Sequence, residues 1–217
     1  TDLLRMMETQ MQALPSNDSK EKTLLEEWNL SITPVNNEKE LWQIKRHMGH
    51  SADCFSKAFR VKNSNRDNAF WNYYDKHNYH KEDIHYWYHG SRNMNCLSIL
   101  HNGLILNPKA PKVGHMFGYG IYLAPKAKKS IGYTSLNGSF WVHGTSDKAY
   151  LFVMKTVYKS PYHVYTWTSG MKSLTKSRIS PHDAVFAHAG TSLRNDEVVI
   201  FDDAQVTLQY IIELKQQ

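Results

Sequence analysis

The chain has 217 residues, a net charge of +6 and a pI near 9.1, and 41% of its residues are hydrophobic. These values predict one globular domain with a buried core, and the basic balance favours an anionic partner. Its two cysteines, Cys54 and Cys96, form no C-x-x-C motif, so neither a disulfide framework nor a cysteine zinc site is supported, and we expect an intracellular protein, nuclear or cytoplasmic.

The N-terminal residues 1–34 differ in their sequence pattern from the rest of the chain. Apolar residues at helical spacing within 1–14 predict an amphipathic helix, and the polar run 15–19 ends it. Because the chain starts at Thr1 without a methionine, we expect companion segments, and we interpret 1–34 as a helical segment and linker. The helix is either the remnant of a helical regulatory domain or a surface helix docked on the main domain, which we place at 35–217.

The main domain opens with helices on either side of a strand. Asn37 followed by Glu40 forms a capping-box pattern that begins a helix over 37–48. One face of the next strand is predicted to carry Phe55, Lys57, Phe59 and Val61. A helix over 66–76 is then predicted to bury Phe70, Trp71 and Tyr74.

Short strands dominate the remainder. The run 84–88 predicts a buried strand leading into His89, and a short helix capped by Asn93 and closed by Gly103 follows. Further strands are predicted at 120–124, 148–158, 161–166 and 206–215, with a helix from Pro125 to about Tyr133 and loops at 105–118 and 167–183. Many short strands with few helices predict an α+β architecture rather than a doubly wound sheet.

The first segment with residues suited to chemistry is YHGSR at 88–92, where a strand ends in Gly90 between His89 and Ser91. A glycine lets a planar ligand approach the backbone, whose N–H and C=O groups can pair with a carboxamide. A simple turn is the alternative interpretation.

The second segment is GHMFGYGIYLAPKAKKSIGY at 114–133, where glycines lie beside tyrosines. This combination predicts a flat slot in which a ring can stack, with aromatic core packing as the alternative. Gly118 and Gly120 match the start of a G-x-G-x-x-G dinucleotide motif, but Leu123 occupies its last position. The parallel sheet that the motif needs is not predicted either, so we reject that motif.

The third segment, 193–206, has an acidic cluster before an apolar strand. Glu197 at the strand start is predicted to face a cleft, where a carboxylate can stabilise developing positive charge. The remaining acids are interpreted as solvated turn residues: Asp196, Asp202 and Asp203.

Together these segments resemble the catalytic domain of the poly(ADP-ribose) polymerases, which has the diphtheria-toxin-like ADP-ribosyltransferase fold. That family carries a His, a Tyr and a Glu on three strands, which correspond here to His89, Tyr122 and Glu197. The resemblance covers roughly 35–217. It implies two packed, mainly antiparallel sheets with short flanking helices around an NAD cleft.

The resemblance also implies how nicotinamide would be held. The backbone of Gly90 and the hydroxyl of Ser91 would bind its carboxamide. Tyr133, at the end of a K-S-x-x-Y match, would stack on the ring, and Tyr122 would pack on the other side.

The remaining implied roles concern the two riboses. His89 would bind the adenosine ribose, and Glu197, with Lys129 beside it, would bind the nicotinamide ribose 2′-hydroxyl and orient an acceptor. The predicted catalytic set is therefore Glu197, His89 and Tyr122. The predicted NAD-binding set is His89, Gly90, Ser91, Tyr122, Ala124, Lys129, Ser130 and Tyr133.

Four positions depart from the family pattern: Ile105, His115, Tyr119 and Leu123. They leave the nicotinamide residues unchanged and alter the adenosine side. A second feature outside the pattern is a set of histidines whose spacing fits no standard zinc ligand set: His47, His50, His77, His80 and His85. We therefore predict no metal.

The resulting function is transfer of ADP-ribose from NAD⁺, used as substrate, to protein acceptors, with extension to a polymer. A carboxylate at Glu197 favours extension, since the resemblance implies that single-unit transferases usually replace it with an apolar residue. The alternatives are a mono-ADP-ribosyltransferase and a non-catalytic module that binds NAD or ADP-ribose. A nucleic-acid partner could enter through companion domains, and no membrane partner is expected because no apolar run approaches the roughly 20 residues that span a bilayer.

Overall fold

The domain is built mainly from two β-sheets, with short helices around them. The computed structural model describes residues 23–106, 115–139 and 146–217, together with Arg5. In chain order its strands are β1 (Leu30–Pro34), β2 (Phe55–Asn63), β3 (Ile84–Gly90), β4 (Ile121–Leu123), β5 (Lys148–Val157), β6 (Pro161–Val164), β7 (Ala184–Ala187), β8 (Glu197–Ile200) and β9 (Val206–Lys215). The α-helices are α1 (Leu24–Glu27), α2 (Glu38–Met48), α3 (Ser64–Lys76), α4 (Cys96–Asn102), α5 (Ala127–Ile131) and α6 (Lys176–Ile179).

The first sheet has the strand order β1-β2-β9-β5-β3, and each neighbouring pair is antiparallel. The second has the order β4-β8-β7-β6, in which β6 and β7 run parallel and the other pairs are antiparallel. The predicted α+β architecture with two mainly antiparallel sheets is therefore confirmed.

The largest apolar cluster lies between the two sheets. Phe152, Met154 and Ile211 of the first sheet pack in it with Val198 and Ile200 of the second, and all five side chains are buried. Burial of a side chain of this size contributes about 1.5–3 kcal/mol. This layer fixes how the sheets are stacked, and so where their strand ends meet.

The face predicted for β2 is wrong over its first half. Phe59 and Val61 lie in the intersheet cluster, but Lys57 is exposed and Phe55 packs with Ala58 against the other side of the sheet. The register against β9 shifts between Phe55 and Lys57. Such a bulge moves the preceding side chains to the opposite face, because side chains alternate along a strand.

Two helix predictions also need correction. In α3, Phe70 is fully buried but Trp71 is 40% exposed, packing edge-on against Phe70 with the Lys155 ammonium over its ring. Asn93 does not cap α4, because its side-chain amide donates to the Lys148 carbonyl instead. Gly103 does end that helix, with a φ of 70°.

The start of α2 follows the prediction in part. The Asn37 side chain accepts from the Glu40 N–H at 3.0 Å. Glu40 does not return to Asn37, since its carboxylate accepts from Arg60 and from the Tyr210 hydroxyl. A tertiary ion pair thus replaces the second half of the capping box.

Some predictions fall outside the described residues. These are the helix at 1–14 (Arg5 apart), the break at 15–19, and Pro108, Pro111 and Gly114 of the predicted loop at 105–118. The boundary near residue 34 stays a prediction. Across the described ranges, no helix has the length and apolar character to cross a membrane.

Asn63, the last residue of β2, ties two helices to the first sheet. Its Oδ1 accepts from the Arg66 N–H at 3.1 Å and so caps α3. Its Nδ2 donates to the carbonyls of Leu100 and His101, both at 2.8 Å, near the end of α4 where carbonyls lack helical partners. The side chain is completely buried.

We expect Asn63→Ala to lower the free energy of unfolding by about 3 kcal/mol, since it removes a cap and leaves two carbonyls without their donor. Urea titration measures the change. Asn72→Ala, at an exposed position of α3, is the matched control and should leave stability nearly unchanged. A loss in Asn63→Ala no larger than in the control would contradict this role.

Candidate active site

The two sheets are joined through their backbones where β3 passes the end of β4. The Tyr88 N–H donates to the Ala124 carbonyl at 2.8 Å, and the Ala124 N–H donates to the Tyr88 carbonyl at 2.9 Å. This bridge lies directly before His89 in the chain. It therefore places the first two predicted functional segments side by side.

Gly90 allows β3 to end against helix α5. A Cβ added there would lie 1.7 Å from the Ser130 carbonyl oxygen, so no other residue fits without moving backbone. Ser130 is buried, and its carbonyl also accepts from the Tyr133 N–H at 3.1 Å. The close approach thus positions the helix that carries Lys129.

The polar groups of Gly90 suit a carboxamide ligand. Both backbone bonds of Tyr88 go to Ala124, away from β5, and the strand alternation directs the Gly90 N–H and C=O to that same edge. A primary carboxamide needs one donor and one acceptor. Next to them the Ser91 hydroxyl oxygen accepts from the Asn95 amide at 2.9 Å, so its own proton can be donated to a ligand.

His89 is held by the backbone of β4. Its Nδ1 lies 3.2 Å from the Tyr122 carbonyl oxygen, and since a carbonyl only accepts, Nδ1 carries the proton. Burial lowers the pKa of His89 below its usual value, which keeps the ring neutral near neutral pH. The remaining nitrogen, Nε2, then has a lone pair that can accept from a hydroxyl.

The hydroxyl of Tyr122 organises the turn before β4. It donates to the Gly118 carbonyl at 2.6 Å and accepts from the Phe117 N–H at 3.1 Å. Burial, with a smaller contribution from the Glu197 charge, raises the pKa of Tyr122, so the hydroxyl stays protonated. Because the hydroxyl is occupied, the ring face is the part that a ligand can use.

Glu197 begins β8 and pairs with Lys129 from α5. Lys129 Nζ donates to Glu197 Oε2, and each side chain is only 12% exposed. Among the described residues Glu197 Oε1 has no hydrogen-bond partner. The ion pair orients the carboxylate and leaves one oxygen to accept from a ligand hydroxyl.

Tyr133 completes the group. It follows α5, and its N–H donates to the Ser130 carbonyl at 3.1 Å. Burial and then the Glu197 charge raise the pKa of the Tyr133 hydroxyl. The structure therefore brings the predicted residues together from four elements: His89 and Gly90 of β3, Tyr122 of β4, Lys129, Ser130 and Tyr133 at α5, and Glu197 of β8.

The sequence did not predict which contacts hold the turn before β4 in place. The segment interpreted as a polar loop, 167–183, carries Trp167, whose Nε1 donates to the Met116 carbonyl at 2.7 Å. A Cβ on Gly118 would lie 2.2 Å from the Leu174 carbonyl oxygen. A tryptophan inside a polar run was the available signal, since a large ring in a loop is commonly anchored by packing.

The histidines considered for a metal are dispersed. His47 Nδ1 is 2.8 Å from the Tyr88 hydroxyl, and the His85 ring stacks on Tyr158 at 4.3 Å. Within the described ranges, no group of three or more His, Cys, Asp or Glu residues could hold a metal ion.

Two packed, mainly antiparallel sheets, with His89 on β3, Tyr122 on β4 and Glu197 on β8, are the arrangement of the ADP-ribosyltransferase fold. The sequence model of the poly(ADP-ribose) polymerase catalytic domain family matches residues 37–216 of this chain. The chain belongs to this family.

Curated relatives agree. The chain is similar to poly(ADP-ribose) polymerase of Drosophila melanogaster, with 31% identity over 59% of this chain and 15% of that protein. It is 25% identical to poly(ADP-ribose) polymerase 2 of Arabidopsis thaliana over 86% of this chain and 33% of that protein. A match to human poly(ADP-ribose) polymerase 2 is 47% identical over 24% of this chain. The chain thus spans a minor part of the length of these relatives.

Because Gly90 lies against the Ser130 carbonyl, a single methyl group added at position 90 should lower the stability of the domain. We expect Gly90→Ala to displace α5 and to lower the midpoint of thermal unfolding by several degrees, as overpacking costs about 1–3 kcal/mol. The same variant should bind nicotinamide more weakly. Gly170→Ala is the matched control, because a Cβ there meets nothing within 4 Å. Equal midpoints for both variants would refute the constraint.

A second prediction concerns pH. Burial lowers the pKa of His89 and His85. The unfolded chain, with histidines near 6.5, then binds more protons below that pH than the folded chain, so stability is present above it and falls on acidification. Thermal unfolding between about pH 7.5 and about pH 5 should show this decrease. His89→Asn should reduce it and His50→Asn, at an exposed position, should not; identical profiles would exclude His89.

Proposed function

We propose that this chain transfers ADP-ribose from NAD⁺ to protein acceptors and extends the first unit into poly(ADP-ribose). The observation that supports the proposal most directly is the Glu197 carboxylate. It is largely shielded from water, is oriented by Lys129, and is close enough to Tyr122 and Tyr133 to raise the pKa of both.

At the nicotinamide end, the residues act by positioning. NAD⁺ supplies the ADP-ribosyl group and, as nicotinamide, the leaving group. The Gly90 N–H and C=O pair with the carboxamide, and the Ser91 hydroxyl donates to it. Tyr122 and Tyr133 bound the two faces of the ring. A leaving group held at its edge and faces is fixed in one orientation, which lowers the entropic part of the barrier.

At the ribose end, the residues act through hydrogen bonds and charge. His89 Nε2 accepts from a hydroxyl of the adenosine ribose. Glu197 Oε1 accepts from the 2′-hydroxyl of the nicotinamide ribose, and its negative charge stabilises the positive charge that develops as the glycosidic bond breaks. In a site shielded from water such a group contributes about 3 kcal/mol.

The same carboxylate supports extension of the chain. An acceptor hydroxyl has to be oriented toward the reacting carbon, and Glu197 can accept its proton in a hydrogen bond. Protein acceptors are the partners that family membership supports. A nucleic-acid partner carried by companion domains and an intracellular location stay predictions.

We expect Glu197→Gln to lower polymer formation by about 10²- to 10³-fold while NAD⁺ binding changes little, because the amide keeps the shape and loses the charge. The assay incubates the chain with labelled NAD⁺ and resolves the products by denaturing electrophoresis. Glu38→Gln, exposed at the start of α2, is the matched control.

The product pattern separates the candidate functions. A high-molecular-weight smear that disappears in Glu197→Gln supports the polymerase. A single sharp labelled band means transfer of one unit, and bound NAD⁺ without turnover means a non-catalytic module. Equal polymer yield from wild type and Glu197→Gln would contradict the role of the carboxylate.

A further inference from the structure

A strongly basic surface lies outside the catalytic group. Residues 159–182 contain four lysines or arginines and no aspartate or glutamate, so they supply much of the net charge of +6. The basic side chains are all exposed: Lys159, Lys172, Lys176 and Arg178. Aromatic residues are interleaved with them, a composition typical of surfaces that bind single-stranded polyanions.

A pocket of about 270 Å³ lies at the base of this surface, between the end of α3, the turn after β5 and α6. One wall is aromatic. The rings of His77 and Tyr73 stack with centroids 3.9 Å apart, and Tyr79 lies nearly parallel to Tyr73 at 6.1 Å. Small-molecule sites usually measure roughly 300–1,000 Å³. A pocket of this size fits one nucleobase, with phosphates left at the rim.

Two lysines border the aromatic wall. Lys176 Nζ lies 5.5 Å from the centre of the Tyr73 ring, and Lys159 Nζ lies 5.2 Å from that of Tyr79. Both ammonium groups are thus within the range of cation–π attraction. Lys176 Nζ also pairs with Asp202 Oδ2 at 2.5 Å, and its side chain stays 57% exposed at the pocket edge. A base that stacks on the rings would place its phosphates beside these charges.

The carboxylate in the pocket does not make it a cation site. Asp183 Oδ2 accepts from the Tyr79 hydroxyl at 2.7 Å and from the Lys159 N–H at 2.9 Å. Its Oδ1 accepts from the Ser160 N–H at 2.9 Å. These donors offset its charge, and the carboxylate is therefore a structural part of the pocket wall.

The pocket is connected by packed residues to the turn at 116–120 before β4 (the catalytic loop). Phe201 lines the pocket, and a Cβ on Gly120 would lie 3.3 Å from its ring. The basic segment itself contacts the loop through Trp167 and Leu174, as described above. The segment that links the pocket to the turn beside Tyr122 has no carboxylate of its own, and Asp202, which lies next to Phe201, pairs with Lys176.

We propose that this pocket is a second binding site for an ADP-ribose chain, in which one adenine stacks on Tyr73 and His77 and its diphosphate contacts Lys159 and Lys176. The proposal rests on the proposed function, because the ligand is the polymer that the catalytic site would make. The site retains a growing chain near the catalytic loop. Adenine and diphosphate recur in every unit, so the site accepts any position along the polymer.

The test measures binding without turnover. A fluorescently labelled ADP-ribose oligomer of defined length is titrated with the 217-residue chain in the absence of NAD⁺, and anisotropy is followed at several salt concentrations. We expect the double variant Lys159→Ala/Lys176→Ala to bind about tenfold more weakly. The slope of log affinity against log salt concentration should become shallower by about 2, because two phosphate contacts are lost. The matched control is Lys39→Ala/Lys62→Ala, which removes the same charge from exposed positions of α2 and β2.

A second variant, Tyr73→Leu, keeps the charge and removes the stacking surface, and we expect it to weaken binding by about tenfold as well. Thermal unfolding of each variant reports whether the fold is retained. Weaker binding by both pocket variants, with the control unchanged, supports the site. Unchanged affinity, or an equal loss in the control, overturns it.

A single-stranded oligonucleotide with the same number of phosphates separates the two polyanion classes. Equal affinity and an equal loss in the pocket variants would make this a nucleic-acid site and overturn the ADP-ribose assignment. The two proposals fail in different ways. Polymer synthesis with unaffected oligomer binding rejects the second site alone, and oligomer binding through the pocket without synthesis rejects the catalytic proposal alone.

Discussion

The backbone bridge between Tyr88 and Ala124, together with the contact of Gly90 with the Ser130 carbonyl, is the constraint on which the site depends. The bridge connects an edge strand of one sheet to the end of a short strand of the other. The contact then lets α5 lie against the end of β3. Both involve backbone atoms, and the second also requires that residue 90 has no side chain. The intersheet apolar layer sets how the sheets are stacked, and these two contacts join the strand ends that the stacking brings together.

The ion pair and the protonation states in the candidate active site depend on that alignment. Lys129 reaches Glu197 because α5 is held against β3 while β8 runs beside β4. The pair is nearly excluded from water. Removing one partner of such a pair destabilises a protein much more than removing one partner of an exposed pair. The neutral ring of His89 and the protonated hydroxyl of Tyr122 have the same origin in burial. The site thus contains one carboxylate whose partner and orientation are both fixed.

The second sheet supports more than the catalytic group. One of its faces packs in the intersheet cluster, and the other packs against the segment that carries Trp167, Met171 and Leu174. This segment covers an apolar face, supports the turn at Gly118 and presents a row of exposed cations. Some of these cations make contacts within the domain, since Lys176 pairs with Asp202 and Lys172 lies over the Trp167 ring. The segment 159–182 nevertheless has four lysines or arginines and no aspartate or glutamate of its own. This is the physical reason to connect the segment with a polyanionic ligand.

The sequence by itself determined the fold class, the family and the residue types of the candidate site, because these depend on short motifs and on local alternation. His89, Tyr122 and Glu197 could be named because the motifs around them, YHGSR, MFGYGIYLA and NDEVVIFDDAQV, resemble those of a known family. Only the tertiary structure decided which faces are buried and which partners are used. The bulge at Phe55, the exposure of Trp71, the diversion of Glu40 to Arg60 and the anchoring of Trp167 all arise from contacts between residues distant in the chain. Such contacts leave no local pattern, and they depend on how the two sheets are stacked.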